Sequence, residues 1–224
     1  MRSGRQISAC SRCVMVAVAV ISSALAACSR PADTPPATID VPVGTTVVES
    51  TGAESVDSAS IATARDAATA LGQGLMTALL ARLETGGPDS ALAFCADSAQ
   101  ALTGRYQLTG VDVHRTSLRV RNPSNAPDSA EVRVLEYLAG LKTAGTLPTE
   151  FVEVRRSGDG SRELRYFRPV MVAAGCLNCH GAVDGIKPSV RAVLAERYPE
   201  DAAVGYTEGD LRGVVAVRLA LPAR

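Results

Sequence analysis

The sequence "GCLNCHG" places Cys176, Cys179 and His180 within five consecutive residues. In a C-x-x-C-H motif the two thiols add to the vinyl groups of haem, and the adjacent imidazole binds the iron. The flanking Gly175 and Gly181 allow the backbone to approach the flat macrocycle closely. The motif occurs once, so it predicts one covalently attached haem c.

Two other chemistries compete with haem for these residues. Zinc is the first, because Cys176, Cys179, Cys95 and His114 together make a Cys3His ligand set. After the N-terminal export segment described below, the chain has no second C-x-x-C and no H-x-x-x-H. A redox disulfide is the second, but the motif follows a predicted β-hairpin and sits in no βαβ unit of the thioredoxin kind. A structural disulfide would also leave His180 unexplained, so haem is favoured.

The first 27 residues are typical of a bacterial export signal. "MRSGRQISACSR" has three arginines and no acidic residue, and "CVMVAVAVISSALAA" is an apolar run too short for a comfortable membrane span. "LAAC" ends this segment and resembles the lipobox of bacterial lipoproteins, which predicts lipidation of Cys28. An ordinary cleaved signal with a chance cysteine is the alternative. Ser29 in place of Asp favours the outer membrane, so the predicted location is the periplasmic side of a bacterial membrane.

Composition restricts the partners and places a linker after the export signal. The chain has 23 basic and 23 acidic residues and no basic stripe, which removes electrostatic support for nucleic-acid binding. Residues 28–58 are rich in Pro, Thr, Ser and Ala with little periodicity, which predicts a disordered, flexible tether. Residues 59–224 remain as one folded domain.

The apolar periodicity of that domain predicts an α+β fold. Steps of three and four residues indicate a helix over 59–83 and a second helix that begins near Asp89 and turns Cys95 inward. Asp128 and Glu131 have the spacing of an N-terminal cap for a further helix. "GVDVHRTSLRV" alternates like a strand, "EFVEVRR" and "RELRYFRPVMVA" flank "SGDG" as an antiparallel hairpin, and "DLRGVVAVRLAL" closes the chain as a strand within the sheet.

The sixth coordination position of the iron has several candidates. His114 is the other histidine, Met76 and Met171 are the methionines of the predicted domain, and Cys95 is its spare thiol. Met171 lies five residues before Cys176, too close to reach around the ring easily. Cys95 is either an ordinary buried small residue or a ligand. Ligation would explain why an unpaired cysteine is kept in an oxidising compartment.

Three segments together carry a family resemblance. "RTSLRVRNPSNAPDSAE", "GCLNCHG" and "YPEDAAVGYTEGDLRGVVAV" resemble a family of exported monohaem c-type cytochromes with a PAS-like fold, which includes a cyanobacterial haem protein and sensor regions of bacterial signalling proteins. The resemblance covers about residues 59–221. It implies a five-stranded antiparallel PAS-like sheet, a haem between sheet and helices, and Cys95 of "AFC" as the distal ligand opposite His180. The "RNPSN" turn offers Arg119 or Arg121 to a propionate, with a simple surface charge as the alternative.

These features predict a membrane-tethered monohaem c-type cytochrome that is not an enzyme. A thiolate ligand stabilises Fe(III), so His/Cys ligation predicts a low potential suited to one-electron transfer with an unknown periplasmic partner. No further acid/base cluster or catalytic triad is present. The alternative is a haem-based redox or gas (CO or NO) sensor that acts through a separate partner, because the chain ends at Arg224 just after the last strand. A structural lipoprotein without haem is the third class.

Overall fold

The computed structural model describes residues 46–49 and 57–222 of the chain. The predicted export signal, the lipidation site at Cys28 and most of the predicted tether lie outside these residues, and so those predictions stay predictions. In the described part, no helix is long and apolar enough to cross a membrane. The elements in chain order are β1 (Thr46–Glu49), α1 (Ser58–Asp97), α2 (Ala99–Gly104), β2 (Val111–Thr116), α3 (Ser129–Thr143), β3 (Phe151–Arg156), β4 (Arg162–Met171), α4 (Leu177–His180), α5 (Pro188–Arg197) and β5 (Leu211–Leu221).

The long helix α1 begins at a cap and bends near its middle. The side chain of Asp57 accepts a hydrogen bond from the Ala59 N–H at 2.7 Å, which satisfies one of the unpaired donors of the first turn. Gly87 has a φ of 64°, and Pro88 follows it inside the helix. Only glycine adopts this left-handed conformation without strain, so the helix bends there. The two predicted helices lie on either side of this non-helical residue and are described together as the two halves of α1, so the predicted break between them is confirmed.

Helix α3 begins at the cap that the sequence predicts. Asp128 accepts hydrogen bonds from the N–H groups of Ala130 and Glu131, and the Glu131 carboxylate accepts one from the Asp128 N–H. This reciprocal arrangement is a capping box. It confirms the predicted start of the helix.

The sheet has five strands in the order β1-β3-β4-β5-β2. The last four are antiparallel, whereas β1 pairs in parallel with β3. The predicted hairpin is therefore confirmed as β3 and β4, and β5 lies inside the sheet between β4 and β2 as predicted. The family resemblance implies five antiparallel strands, and the described sheet differs from that only at its β1 edge. These four residues belong to the segment predicted as a tether, and they lie against the otherwise open edge of β3.

Each face of the sheet is covered by one helix. Helix α1 packs on the first face through small and aliphatic residues that are almost fully buried, such as Ala64, Ala68 and Leu71. Helix α3 packs on the second face through Leu135 and Leu138 against aromatic and small side chains of β3, β4 and β5. Burial of each leucine contributes about 2 kcal/mol. The predicted α+β fold, an antiparallel sheet with flanking helices, is confirmed.

Candidate haem site

A cavity of about 290 Å³ lies between α1 and the first face of the sheet. Its wall is mostly apolar, with Leu75, Leu79 and Leu92 of α1 facing Val170 and Val215 of the sheet. The four residues predicted to bind haem and iron also line it, and they are Cys95, Cys176, Cys179 and His180. The fold therefore brings together side chains that are up to 85 residues apart in the sequence.

The C-x-x-C-H motif forms a short helical turn directly after β4. The 3-10 turn Ala174–Cys176 leads into α4, so the residues of the motif follow one another around a tight helical path. The Ala173 N–H donates a hydrogen bond to the Cys176 sulfur at 3.4 Å. A Cβ on Gly181 would lie 2.7 Å from the Leu177 carbonyl oxygen, so this position requires glycine. The role predicted for Gly175, close approach of the backbone to the macrocycle, stays a prediction.

His180 is held as a neutral imidazole with one nitrogen unused. Its Nδ1 lies 2.7 Å from the Ala203 carbonyl oxygen, and because a carbonyl only accepts, Nδ1 carries the proton. The Nε2 lone pair is then available to a metal. Burial, followed by the charges of Arg121 and Arg212, lowers the pKa of His180 to about 3. The Tyr206 ring packs edge-on against the imidazole, with ring centroids 6.2 Å apart.

Arg121 ties the motif to the segment that follows α5. Its guanidinium donates to the Asp201 carboxylate at 3.0 Å, to the Cys179 carbonyl at 2.5 Å and to the Ala203 carbonyl at 3.1 Å. Both side chains of the Arg121–Asp201 pair are 9% exposed. Since Ala203 also accepts from His180, this arginine helps to fix the orientation of the imidazole.

Cys95 lies in the second half of α1 and lines the same cavity. Burial raises the pKa of its thiol, and the positive charges of Arg115 and Arg121 partly oppose that effect. A metal that binds the sulfur takes the place of its proton, so a thiol at the cavity wall can become a thiolate ligand. This is the chemistry expected of a distal ligand.

The other distal candidates are less well placed. His114 does not line the cavity, because its Nε2 donates to Glu131 of α3 at 2.9 Å on the second face of the sheet. Met76 and Met171 do line the cavity, but their side chains are 46% and 40% exposed, as at the rim of a pocket. The placement of the four candidates favours Cys95.

Two arginines of the site escaped the sequence analysis. Arg115 and Arg212 line the cavity together with Arg121, whereas Arg119 does not. Arg119 instead donates to the Ala202 carbonyl at 3.1 Å and stacks on the Tyr206 ring. Period two along β2 places Arg115 on the same face as buried Val113, and this pattern was the available indication.

The geometry also bears on the two competing chemistries. Within residues 46–49 and 57–222, no group of three Cys, His, Asp or Glu side chains is placed to hold a metal ion. Cys95, Cys176 and Cys179 are free thiols. Neither the Cys3His zinc site nor a disulfide between the motif cysteines is present.

Comparison with known proteins places the chain in a family. The model of the Tll0287-like family matches residues 31–220. The chain belongs to the Tll0287-like family. Among solved structures, the crystal structure of the cyanobacterial haem protein Tll0287 is similar, with 25% sequence identity, a TM-score of 0.53, and coverage of 75% of this chain and 99% of that one. The resemblance found in the three sequence segments is thereby confirmed. No curated protein matches the chain.

Proposed function

We propose that this member of the Tll0287-like family is a monohaem c-type cytochrome. Cys176 and Cys179 form the two thioether bonds, His180 is the proximal ligand and Cys95 the distal one. The observation that carries the proposal is the state of His180, a neutral imidazole with a free Nε2 beside two free thiols at the wall of an apolar cavity. Membership of a family with a solved haem protein supports the same cofactor.

The residues of the cavity fit a haem in their chemistry. The aliphatic side chains of α1 and the sheet suit the flat hydrophobic faces of a porphyrin. The Nε atom of Arg115 is buried and has no hydrogen-bond partner, which indicates that a polar group of a ligand completes the site. The imidazole and the thiol supply the nitrogen and sulfur donors that iron takes in haem proteins.

The proposed role is low-potential, one-electron transfer at a membrane. Haem supplies the redox couple between Fe(III) and Fe(II). The chain's own contribution is to exclude water with the leucines of α1, to hold His180 through Ala203, and to present a Cys95 thiolate, which stabilises Fe(III) and lowers the potential. If His180 and Cys95 both bound the iron, no position would be open for a substrate, so electron transfer is proposed in preference to catalysis.

Mass spectrometry tests covalent attachment directly. The protein is produced in a bacterial host that matures c-type cytochromes, and the expected result is one added haem mass per chain that resists acid–acetone extraction. A Soret band should accompany it. An intact chain without this mass contradicts the proposal, and a mass increase that persists when both Cys176 and Cys179 are changed to serine contradicts the attachment site.

The distal ligand is tested with Cys95→Ala. The ferric spectrum should change from six-coordinate, low-spin, thiolate-type to five-coordinate or histidine-type, as measured by electron paramagnetic resonance. Ser90→Ala, in the same half of α1 but outside the cavity lining, is the matched control and should leave the spectrum unchanged. An unaltered spectrum in Cys95→Ala would remove the distal assignment.

A redox or gas sensor is the second candidate function. It is supported by the place of Cys95 at the cavity wall, where release of its sulfur from the iron would open a position for a gas. A redox titration followed by absorbance separates the two roles. Ligand loss on reduction, followed by CO or NO binding, supports sensing, whereas reversible reduction with unchanged ligation supports electron transfer.

Membrane attachment is proposed to occur through a lipid on Cys28. The proposal is supported by "LAAC" alone, since Cys28 lies outside the described residues. The mature N-terminus should carry the diacylglyceryl mass, and Cys28→Ser should release the protein from the membrane fraction. Recovery of Cys28→Ser protein in the membrane to the same extent as the parent would exclude this anchor.

A further inference from the structure

Among the described residues, the cavity lining includes three guanidinium groups and no carboxylate. Arg115, Arg121 and Arg212 line it, and no described Asp or Glu does. A guanidinium is always charged in proteins, and removing it from water without an opposite charge is expensive. The arginines that lack a carboxylate therefore indicate where a bound anion belongs.

Arg121 is already neutralised by the protein. Its ion pair with Asp201 is buried, and its Nη2 also donates to two backbone carbonyls. Because the charge of Arg121 already has a carboxylate partner in the chain, the demand for an anion falls on the other two arginines.

Arg115 has a single polar partner, and that partner is uncharged. Its guanidinium donates to the Gln100 side-chain oxygen at 3.3 Å, while its Nε is buried and unpaired. No carboxylate of the described residues lies within ion-pair distance of it. Arg218 on the other face of the sheet also has a buried Nε without a partner, but the Arg115 Nε differs in that its residue lines the cavity, where a ligand can supply the acceptor.

Arg212 is held in place without being neutralised. It donates to the Ser117 hydroxyl at 2.8 Å and to the Arg119 carbonyl at 3.1 Å, and it lies over the Tyr206 ring at 5.4 Å. A hydroxyl, a carbonyl and an aromatic face orient the guanidinium but carry no full negative charge. Like Arg115, it has no ion-pair partner among the described carboxylates.

We propose that Arg115 and Arg212 bind the two propionates of the haem, one arginine to each carboxylate. This proposal rests on the proposed function, since it requires a haem in the cavity. Two of the arginines that line the cavity have no carboxylate partner, and a haem has two propionates. Guanidinium–carboxylate pairs are the strongest hydrogen-bonded pairs available here. Arg119, which the "RNPSN" turn offered for this role, is excluded from it by its place outside the cavity lining.

Resonance Raman spectroscopy of the haem-loaded protein tests the assignment. A propionate that accepts hydrogen bonds from a guanidinium has a bending band that shifts when water is exchanged for D2O. Arg115→Gln should remove this sensitivity from one propionate band, Arg212→Gln from the other, and the double variant from both. Arg119→Gln and the exposed α3 variant Arg133→Gln are the matched controls and should retain both D2O shifts.

The outcomes separate this proposal from the haem assignment itself. A chain with the haem mass whose D2O shifts survive in both Arg115→Gln and Arg212→Gln overturns the propionate assignment and leaves the cytochrome proposal intact. A chain without the haem mass overturns both. Arg212→Lys keeps the charge beside Tyr206 if Arg212→Gln fails to fold, and it should displace one band, whereas an undisplaced band argues against the assignment.

Arg115 has one rival role, as a counter-charge to the Cys95 thiolate. Repeating Arg115→Gln in Cys95→Ala protein distinguishes the two, because a propionate partner acts on its Raman band whether or not the thiolate is present. Loss of the D2O shift in the Cys95→Ala background supports the propionate role. If Arg115→Gln no longer removes the D2O shift in Cys95→Ala protein, the propionate role of Arg115 is overturned.

Discussion

The two faces of the sheet differ in whether their charged side chains have oppositely charged partners in the chain. On the α3 face, Glu131 is 1% exposed and its carboxylate accepts from His114 at 2.9 Å, from Arg218 at 2.6 Å and from the Asp128 N–H at 3.0 Å. On the α1 face, Arg115 and Arg212 line the cavity, and none of the described carboxylates lines it with them. A charge paired within the chain stabilises the fold, whereas a charge without a partner in the chain indicates a ligand.

The pKa of Glu131 is consistent with this division. Burial alone would raise it, but hydrogen bonds from His114 and Arg218 and from the Asp128 N–H outweigh burial and hold the pKa at about 2. The Glu131 carboxylate is therefore charged at neutral pH, and both of its oxygens accept hydrogen bonds. Variants on the α3 face should change stability and leave the haem spectrum alone, and variants of the cavity thiols should do the reverse.

The largest expected effect on the cavity face is loss of the covalent cofactor. Changing Cys176 and Cys179 to serine together should abolish acid-stable haem attachment, because no other described cysteine lies in the C-x-x-C-H turn. Mass spectrometry and pyridine haemochrome absorbance measure the loss. The matched control is Asn178→Ala, inside the same turn, which should keep the haem mass. Equal haem content in the double variant and the parent would contradict the site.

Arg121 is the cavity arginine that has a partner in the chain, so it should behave like a residue of the α3 face. Arg121→Gln leaves Asp201 buried without its partner and should lower the free energy of unfolding by about 4 kcal/mol. Urea denaturation followed by circular dichroism measures the change. Arg191→Gln, at an exposed position of α5, is the control and should lower the free energy of unfolding by less than about 0.5 kcal/mol. If the two variants were equally stable, the Arg121–Asp201 pair would not be a structural one.

On the α3 face, Glu131→Gln should destabilise the fold and leave the Soret band of the haem unchanged. The amide cannot satisfy His114, Arg218 and the Asp128 N–H together, so the free energy of unfolding should fall by about 3 kcal/mol. Glu136→Gln, exposed on the same helix, is the control and should be nearly neutral. A changed Soret band in Glu131→Gln would show that the two faces are coupled, and would break the comparison.

Local sequence patterns were enough for several elements of the fold. The capping box at Asp128 and Glu131, the hairpin around "SGDG" and the proline in the first turn of α5 all depend on residues close together in the chain. The C-x-x-C-H motif is equally local, and it identified three of the four proposed haem-binding and iron-binding residues. The fourth, Cys95, needed the apolar stripe of α1 and the family resemblance.

The features that the sequence did not reveal depend on contacts between distant residues. The parallel pairing of β1 with β3 joins residues about 100 positions apart, and four residues have no distinctive period. Arg115 shares a face of β2 with buried Val113, but an arginine on a strand is usually exposed, so the sequence pattern did not assign Arg115 or Arg212 to the cavity.

The smallest expected effect is the acid dependence of the α3 face. The pKa of Glu131 is 4.5 in an unfolded chain and about 2 in the fold, so the stability that its charge contributes is present above about pH 4.5 and is lost as pH falls toward 2. Between about pH 7 and pH 3 this loss amounts to roughly 2 kcal/mol. Glu131→Gln has no such group, so its deficit relative to the parent should shrink by that amount at pH 3, as measured by urea denaturation at both pH values. If the difference in free energy of unfolding between Glu131→Gln and the parent stayed constant with pH, Glu131 would stabilise the fold through its packing and not through its charge. The contrast between the paired charges of the α3 face and the unpaired charges of the cavity would then depend only on the arginines.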